Sequence, residues 1–293
     1  MRFSPFISLL YRLAYLVHRR FFLRPGRAPA FSDLVVVGSC LAGGAGKTPL
    51  CEWLAREITL RGKSVALLCH GAAWDEVLLL KEHLPQVDAF STTNRARLAH
   101  RLDGRYDVIL CDDGFEDSRL AGAKIICMDW GAPAETFMDL VPAGRCRSLL
   151  KDHPDVNLYL TCGSAFKDPD VCFSLSTVRN AFGASPETPV TLMCGLGDPS
   201  RFALDVKNFG ISVVREIFFR DHSRKFAKEA ARIIATGSPV VMSEKDAVRL
   251  PQDLQWNALV FVAHENVILS DAALRKLNII LGTPSVRGPH GTL

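Results

Sequence analysis

The chain has 293 residues, 48% of them hydrophobic, and a net charge of only +4 at pH 7. That length and apolar content support one large or two medium domains with sizeable cores, and exclude a chain dominated by disorder. The small positive excess argues against a protein that wraps nucleic acid, and the 9 scattered cysteines, odd in number and without a C-x-x-C pair, argue against a disulfide framework or a structural zinc.

From Phe6 to Leu23 the apolar residues Phe6, Leu9, Leu10, Leu13, Leu16, Val17 and Phe21 recur close to helical spacing, behind a Ser4-Pro5 pair that suits a helix start. Arg2, Arg12, His18, Arg19, Arg20, Arg24 and Arg27 give this segment positive or titratable charge only, and no acidic residue precedes Asp33. Arg12 interrupts the apolar stretch, which falls short of the roughly 20 apolar residues of a spanning helix. Two readings stand: an interfacial helix lying on a bilayer, or an amphipathic helix packed on its own domain. A cleaved signal peptide fits poorly, because the arginines lie within and after the apolar part.

Beyond Pro25 apolar runs alternate with helical stretches, the habit of a parallel sheet covered by helices. Strands are expected at Leu34–Gly38, Ser64–Leu68, Asp107–Cys111 and Lys124–Met128. The text turns irregular from about Lys151 to Pro189. A second alternation follows, with strands at Val190–Cys194, Ser212–Phe218, Pro239–Ser243 and Ala258–Val262, and helices around Ser200–Phe209, Ser223–Ala235 and Asp271–Leu281. The expected organisation is an N-terminal interfacial helix at 1–29, an α/β domain of the P-loop NTPase type with helices on both sheet faces at 30–183, and a smaller C-terminal α/β domain at 184–293.

The run Leu34-Val35-Val36-Val37 leads into Gly43-Gly44-Ala45-Gly46-Lys47-Thr48-Pro49 and then a helix, the strand, loop and helix order of a nucleotide phosphate site. Glycines let successive N–H groups curl around phosphates, and the helix N-terminus adds its partial positive charge. Lys47 would bridge the β- and γ-phosphates of ATP, and the Thr48 hydroxyl would hold Mg²⁺. The strict pattern G-x-x-x-x-G-K-S/T is missed at one position, where Leu41 replaces the first glycine. The strand Tyr106–Cys111 ends in Asp112-Asp113-Gly114, whose carboxylates are placed to organise the metal ion. An Asp-Gly pair is also an ordinary turn.

Taken in order, these segments resemble the tetraacyldisaccharide 4'-kinase family, the lipid A kinases. Gly38 to Pro49 resembles the family's G-N-x-S/T-V-G-G-T/S-G-K-T-P, in which the first glycine is normally missing. Asp112 to Leu120 is similar to D-D-G-x-Q-H-x-x-L, and Val141 to Arg147 to L-P-A-G-x-x-R. Cys194 to Phe202 resembles G-I-(G/A)-x-P-x-x-F, Phe219 to His222 resembles F-x-D-H, and Ser243 to Leu250 resembles T-E-K-D-A-V-K-L. The resemblance implies an ATP- and Mg²⁺-dependent enzyme, peripheral on the cytoplasmic face of the bacterial inner membrane, that phosphorylates the 4'-hydroxyl of a lipid-linked glucosamine disaccharide 1-phosphate. It implies no nucleic-acid or obligate protein partner. It aligns Asp75 with the family's catalytic aspartate and His222 with a histidine near its active site, where a helix cap and a loop histidine are the plainer alternatives. The family's S-R-G-Y before G-D-E is absent, since Cys69-His70-Gly71-Ala72 runs almost directly into Trp74-Asp75-Glu76, and Glu116-Asp117 replaces Q-H. Two competing readings are a soluble P-loop GTPase, which would need an N-K-x-D that the sequence lacks, and a nucleotide-binding relative that has lost transfer.

Overall fold

The computed structural model describes residues 5–22, 25–42, 44–71, 73–128, 135–163, 166–220, 223 and 225–282. Gly43 and His222 lie outside the described residues. The fold divides into two compact units, the first formed by 1–73, 84–172 and 269–293 and the second by 74–83 and 173–268. These units follow the chain differently from the contiguous segments 30–183 and 184–293 expected above: a short helix from the first half joins the second unit, and the last helix returns to the first.

In the first unit, β1 (Asp33–Gly38), β2 (Val65–His70), β3 (Asp88–Thr92), β4 (Val108–Cys111), β5 (Ala123–Met128) and β6 (Leu158–Thr161) form one sheet in the order β3-β2-β4-β1-β5-β6. Every pairing is parallel. The central strands are buried along almost their whole length, which is why they read as unbroken apolar runs instead of alternating ones. Helix α2 (Lys47–Leu60) buries Leu50, Cys51, Leu54, Ala55 and Ile58. Ala96, Ala99 and Leu102 of α4 (Arg95–Leu102) pack with Val36, Leu68, Ile109 and Phe115. Gly38 makes this packing possible, because a Cβ there would stand 2.3 Å from the Phe115 ring. Since β1 and β4 are neighbours, with Val36 opposite Cys111, the loops leaving their carboxyl ends emerge side by side, the usual ligand position in an open parallel sheet.

Helix α1 (Pro5–Phe22) docks on the first unit with its polar side inward. The buried Ser8 hydroxyl donates to the Leu140 carbonyl (3.0 Å) and accepts from the Ala143 N–H (3.0 Å). Tyr11 donates to the Arg147 carbonyl at 2.9 Å, Arg12 forms a two-pronged salt bridge with Asp152, and Tyr15 and Arg19 reach the His153 ring at 3.2 and 3.3 Å. Phe6, Ile7, Leu10, Leu13, Val17 and Phe21 face outward and are exposed. Among the described residues no helix is long and apolar enough to cross a membrane.

The second unit carries a sheet of β7 (Val171–Arg179), β8 (Val190–Cys194), β9 (Val213–Phe218), β10 (Val240–Ser243) and β11 (Val260–Leu269), in the order β7-β11-β10-β8-β9. Successive residues of β8 face opposite ways, as strand geometry dictates. Leu192 joins Phe202, Ala203 and Val206 of α5 (Pro199–Asn208) on one side, and Met193 joins Phe226, Ala230 and Ile233 of α6 (Phe226–Ile234) on the other. Helix α3 (Trp74–His83), α7 (Glu244–Ala247) and α8 (Gln252–Gln255) complete this unit, and α9 (Asp271–Leu281) packs in the first.

Candidate active site

The loop after β1 is held open by its neighbours before it turns into α2. Leu41 bridges Cys146, Ala42 donates to the Arg145 carbonyl (2.9 Å) and Arg147 donates to the Cys40 carbonyl (2.7 Å). Leu41 can replace the expected glycine because it lies in this extended bridge with its side chain buried. The left-handed turn falls instead at Gly46, with φ of +72° at the N-cap of α2, a conformation that favours glycine. Gly44 is also left-handed, Ala45 is buried, and Lys47, Thr48 and Pro49 form the first turn, which carries no acidic side chain. The helix end therefore offers main-chain N–H groups and its dipole to an anion.

The acidic strand end meets this turn. The Thr48 hydroxyl donates to Asp112 Oδ2 at 2.7 Å, and Lys47 Nζ lies 3.6 Å from Asp113 Oδ1. Asp113 adopts a left-handed φ of +52°, unusual for a residue with a side chain. Both its oxygens face the Arg147 fork, at 2.6 and 3.0 Å. Burial pushes its pKa up, but the charges of Lys47 and Arg147, helped by Arg95, bring it down to about 2. Arg95 also donates to the Asp112 carbonyl at 2.9 Å. Burial works against the Arg147 guanidinium too, yet Asp113 and Glu116 together hold its pKa above the usual arginine value.

Lys47, Thr48, Asp112 and Asp113 are thus brought together by the fold, while Arg95 and Arg147 had no role assigned from sequence. Arg147 closed a recognised segment, so a signal was present. Arg95 had none, because the short α4 has no marked pattern of its own. Hard oxygen donors from Thr48 and Asp112 suit Mg²⁺. Among the described residues no group of three or more His, Cys, Asp or Glu side chains has metal-binding geometry, so an ion here would take its remaining ligands from phosphate and water.

Asp75 belongs to the second unit, inside the first turn of α3 and fully buried. Its Oδ2 accepts from Arg249 Nε at 2.6 Å and also meets Nη2 of the same guanidinium, while Oδ1 accepts from the Glu76 N–H at 3.1 Å.

The family model for Tetraacyldisaccharide-1-P 4'-kinase matches residues 3–72 and 70–279. The chain belongs to this family. The tetraacyldisaccharide 4'-kinase of Chlamydia muridarum is 27% identical over 268 residues, spanning 75% of this chain and 72% of the relative. That of Haemophilus influenzae is 27% identical over 281 residues, spanning 84% and 82%. The fold resembles that of LpxK from Aquifex aeolicus, solved in complex with ATP, with a TM-score of 0.63 at 22% identity over 93% of this chain and 96% of that one.

As a member of the kinase family, the chain answers its extra negative charge locally. Asp117 is held by Arg119, through Nε at 2.8 Å and Nη2 at 2.7 Å, so it is turned into its own loop. Glu116 lies 3.4 Å from Arg147 Nε. Burial raises its pKa, and the Arg147 charge opposes that rise.

Proposed function

We propose that the chain transfers the γ-phosphate of ATP to the 4'-hydroxyl of a tetraacyl disaccharide 1-phosphate. The observation that carries this reading is the Thr48–Asp112 hydrogen bond of 2.7 Å beside Lys47 and Arg147, both of which rest on Asp113. A phosphoryl-transfer site needs cations that can be handed to the nucleotide, and Asp113 gathers two of them beside the turn. Lys47 would then turn to the β- and γ-phosphate oxygens, with the N–H groups of the α2 turn around them. Thr48, Asp112 and Asp113 would hold and orient Mg²⁺, which when bound neutralises charge on the transferring phosphate. Asp75 serves the acceptor side by taking or orienting the hydroxyl proton, and His222 is assigned to catalysis by the family resemblance alone.

The outward apolar face of α1, with Arg20 exposed near its end, fits a bilayer surface with that basic residue near anionic headgroups. Acyl chains could stay in the lipid while the sugar reaches the loop, which makes the protein peripheral, on the cytoplasmic side where ATP is. A second reading, nucleotide binding without transfer, has one observation in its favour: the complete burial of Asp75 against Arg249. Transfer of labelled phosphate from Mg-ATP to a tetraacyl disaccharide 1-phosphate in detergent micelles separates the two, with Lys47→Ala as the blank. Product that vanishes in the blank supports the kinase; nucleotide binding without product supports the second reading.

A further inference from the structure

The segment Ser243–Leu250 matches a family motif and belongs to the second unit, whereas the phosphate turn belongs to the first. The side chains of Ser243–Leu250 clasp α3. Ser243 and Asp246 open the clasp: the Asp246 Oδ2 accepts from the Gly195 N–H and the Ser243 hydroxyl, both at 2.9 Å. Asp246 Oδ1 takes Arg249 Nη1 at 3.1 Å, and the other edge of the same guanidinium grips Asp75. All three side chains are shut away, with Asp75 and Asp246 at 0% exposure and Arg249 at 6%. Gly195 leaves the room for this, since a Cβ there would stand 2.8 Å from Asp246 Oδ1 and 3.2 Å from Arg249 Nη1. Two further pairs fix α3 along its length: Lys245 to Glu76 at 2.9 Å, and His83 to Glu244 at 2.9 Å, where His264 also binds at 2.6 Å.

We infer that Arg249 is the positioning residue of the acceptor-side carboxylate: anchored on Asp246, it fixes the plane of the Asp75 carboxylate and decides which oxygen faces the guanidinium. The inference rests on the proposed role of Asp75. A buried carboxylate is costly unless paired and hydrogen-bonded, so the same contact that makes burial tolerable also sets orientation. Positioning matters because a displacement of about 1 Å at a reacting group costs on the order of 10²-fold in rate. The guanidinium fork reaches two carboxylates at once, which a lysine ammonium cannot do in the same planar way.

The test uses the full chain and the labelled-phosphate assay, with wild type, Asp75→Asn, Arg249→Met, Arg249→Lys and Asp75→Asn/Arg249→Met. Arg249→Met is expected to lower kcat by about 10²-fold while leaving Mg-ATP binding unchanged, and Arg249→Lys to lower it less. In the Asp75→Asn background, Arg249→Met should add no further loss, because its effect runs through the missing carboxylate. Wild-type kcat in Arg249→Met, losses that multiply in the double variant, or a fall in Mg-ATP affinity would each overturn the inference. Should circular dichroism show Arg249→Met unfolded, Arg249→Lys and its Asp75→Asn double carry the same cycle with the same criteria. Failure of the kinase reading looks different: a silent wild type, or an Asp75→Asn variant as fast as wild type.

Discussion

Two clusters of carboxylates and arginines, one in each unit, are built from the same chemistry to opposite ends. In the first, Asp113 gathers Lys47 and Arg147 with its side chain 32% exposed and Arg147 29% exposed. In the second, Arg249 joins Asp75 and Asp246 with nothing exposed beyond 6%. Water and ligand can compete for the first set of pairs, so its cations can be exchanged onto phosphates at small cost. In the second set, breaking a pair strands a buried charge, so it holds position instead of exchanging partners. Exposure, more than residue type, separates a site that receives a ligand from one that keeps a backbone element in place.

The largest effect is expected from Lys47→Ala, which removes the loop lysine proposed to bridge the phosphates. It should reduce transfer by about 10²-fold or more and also weaken nucleotide binding, measured by titration with Mg-ATP. Stability experiments sharpen the contrast between the clusters. Asp246→Ala, which leaves Arg249 half-paired in a dry site, should cost about 3–5 kcal/mol in urea unfolding, whereas Asp113→Ala at the half-open site should cost about 1 kcal/mol or less. Equal costs would break the comparison.

Acid provides a third handle. Burial first, and then the Arg19 charge, lower the His153 pKa to about 4. Its unfolded value is about 6.5, so the unfolded chain binds the extra proton first. The stability that His153 contributes is therefore present above about 6.5 and is lost as pH falls through about 4. His153→Gln should flatten the decline of the unfolding midpoint across that window; an unchanged decline would place the acid sensitivity elsewhere. Asp113, at about 2, keeps its ion pairs until far lower pH.

Smaller effects are expected at α1. Leu13→Glu and Val17→Glu, on its exposed face, should weaken sedimentation with anionic vesicles while leaving the unfolding midpoint in place. Tyr11→Phe, which deletes the bond to the Arg147 carbonyl, should cost about 1 kcal/mol in urea unfolding and leave vesicle binding intact.

Much of this was legible along the chain. The strands β1, β2, β4, β5, β8 and β10 announced themselves as apolar runs because their surroundings are apolar on both faces, and the phosphate loop was legible because its chemistry is local: glycines, a lysine and a threonine on one turn. The strands β3, β6 and β7 were missed. Each lies at a sheet edge, where one side has no neighbour and residues such as Asp88, Ser91 and Tyr159 are only partly covered, so no continuous run marks them. Helix α1 was half legible. Its period revealed a greasy face, but Ser8, Tyr11, Arg12, Tyr15 and Arg19 turn out to bind the protein, leaving the greasy face outward.

By itself the sequence determined the buried central strands, their parallel habit, the phosphate turn and the family, because backbone conformation and burial pattern there are set by near neighbours in the chain. Only the tertiary structure decided that Arg147 and Arg95 join Asp112 and Asp113, that Glu116 and Asp117 find their own cations, and that Arg249 holds Asp75 from 174 residues away. Ion pairs and buried carboxylates depend on distance and dielectric at the folded site, and no spacing along the chain encodes either.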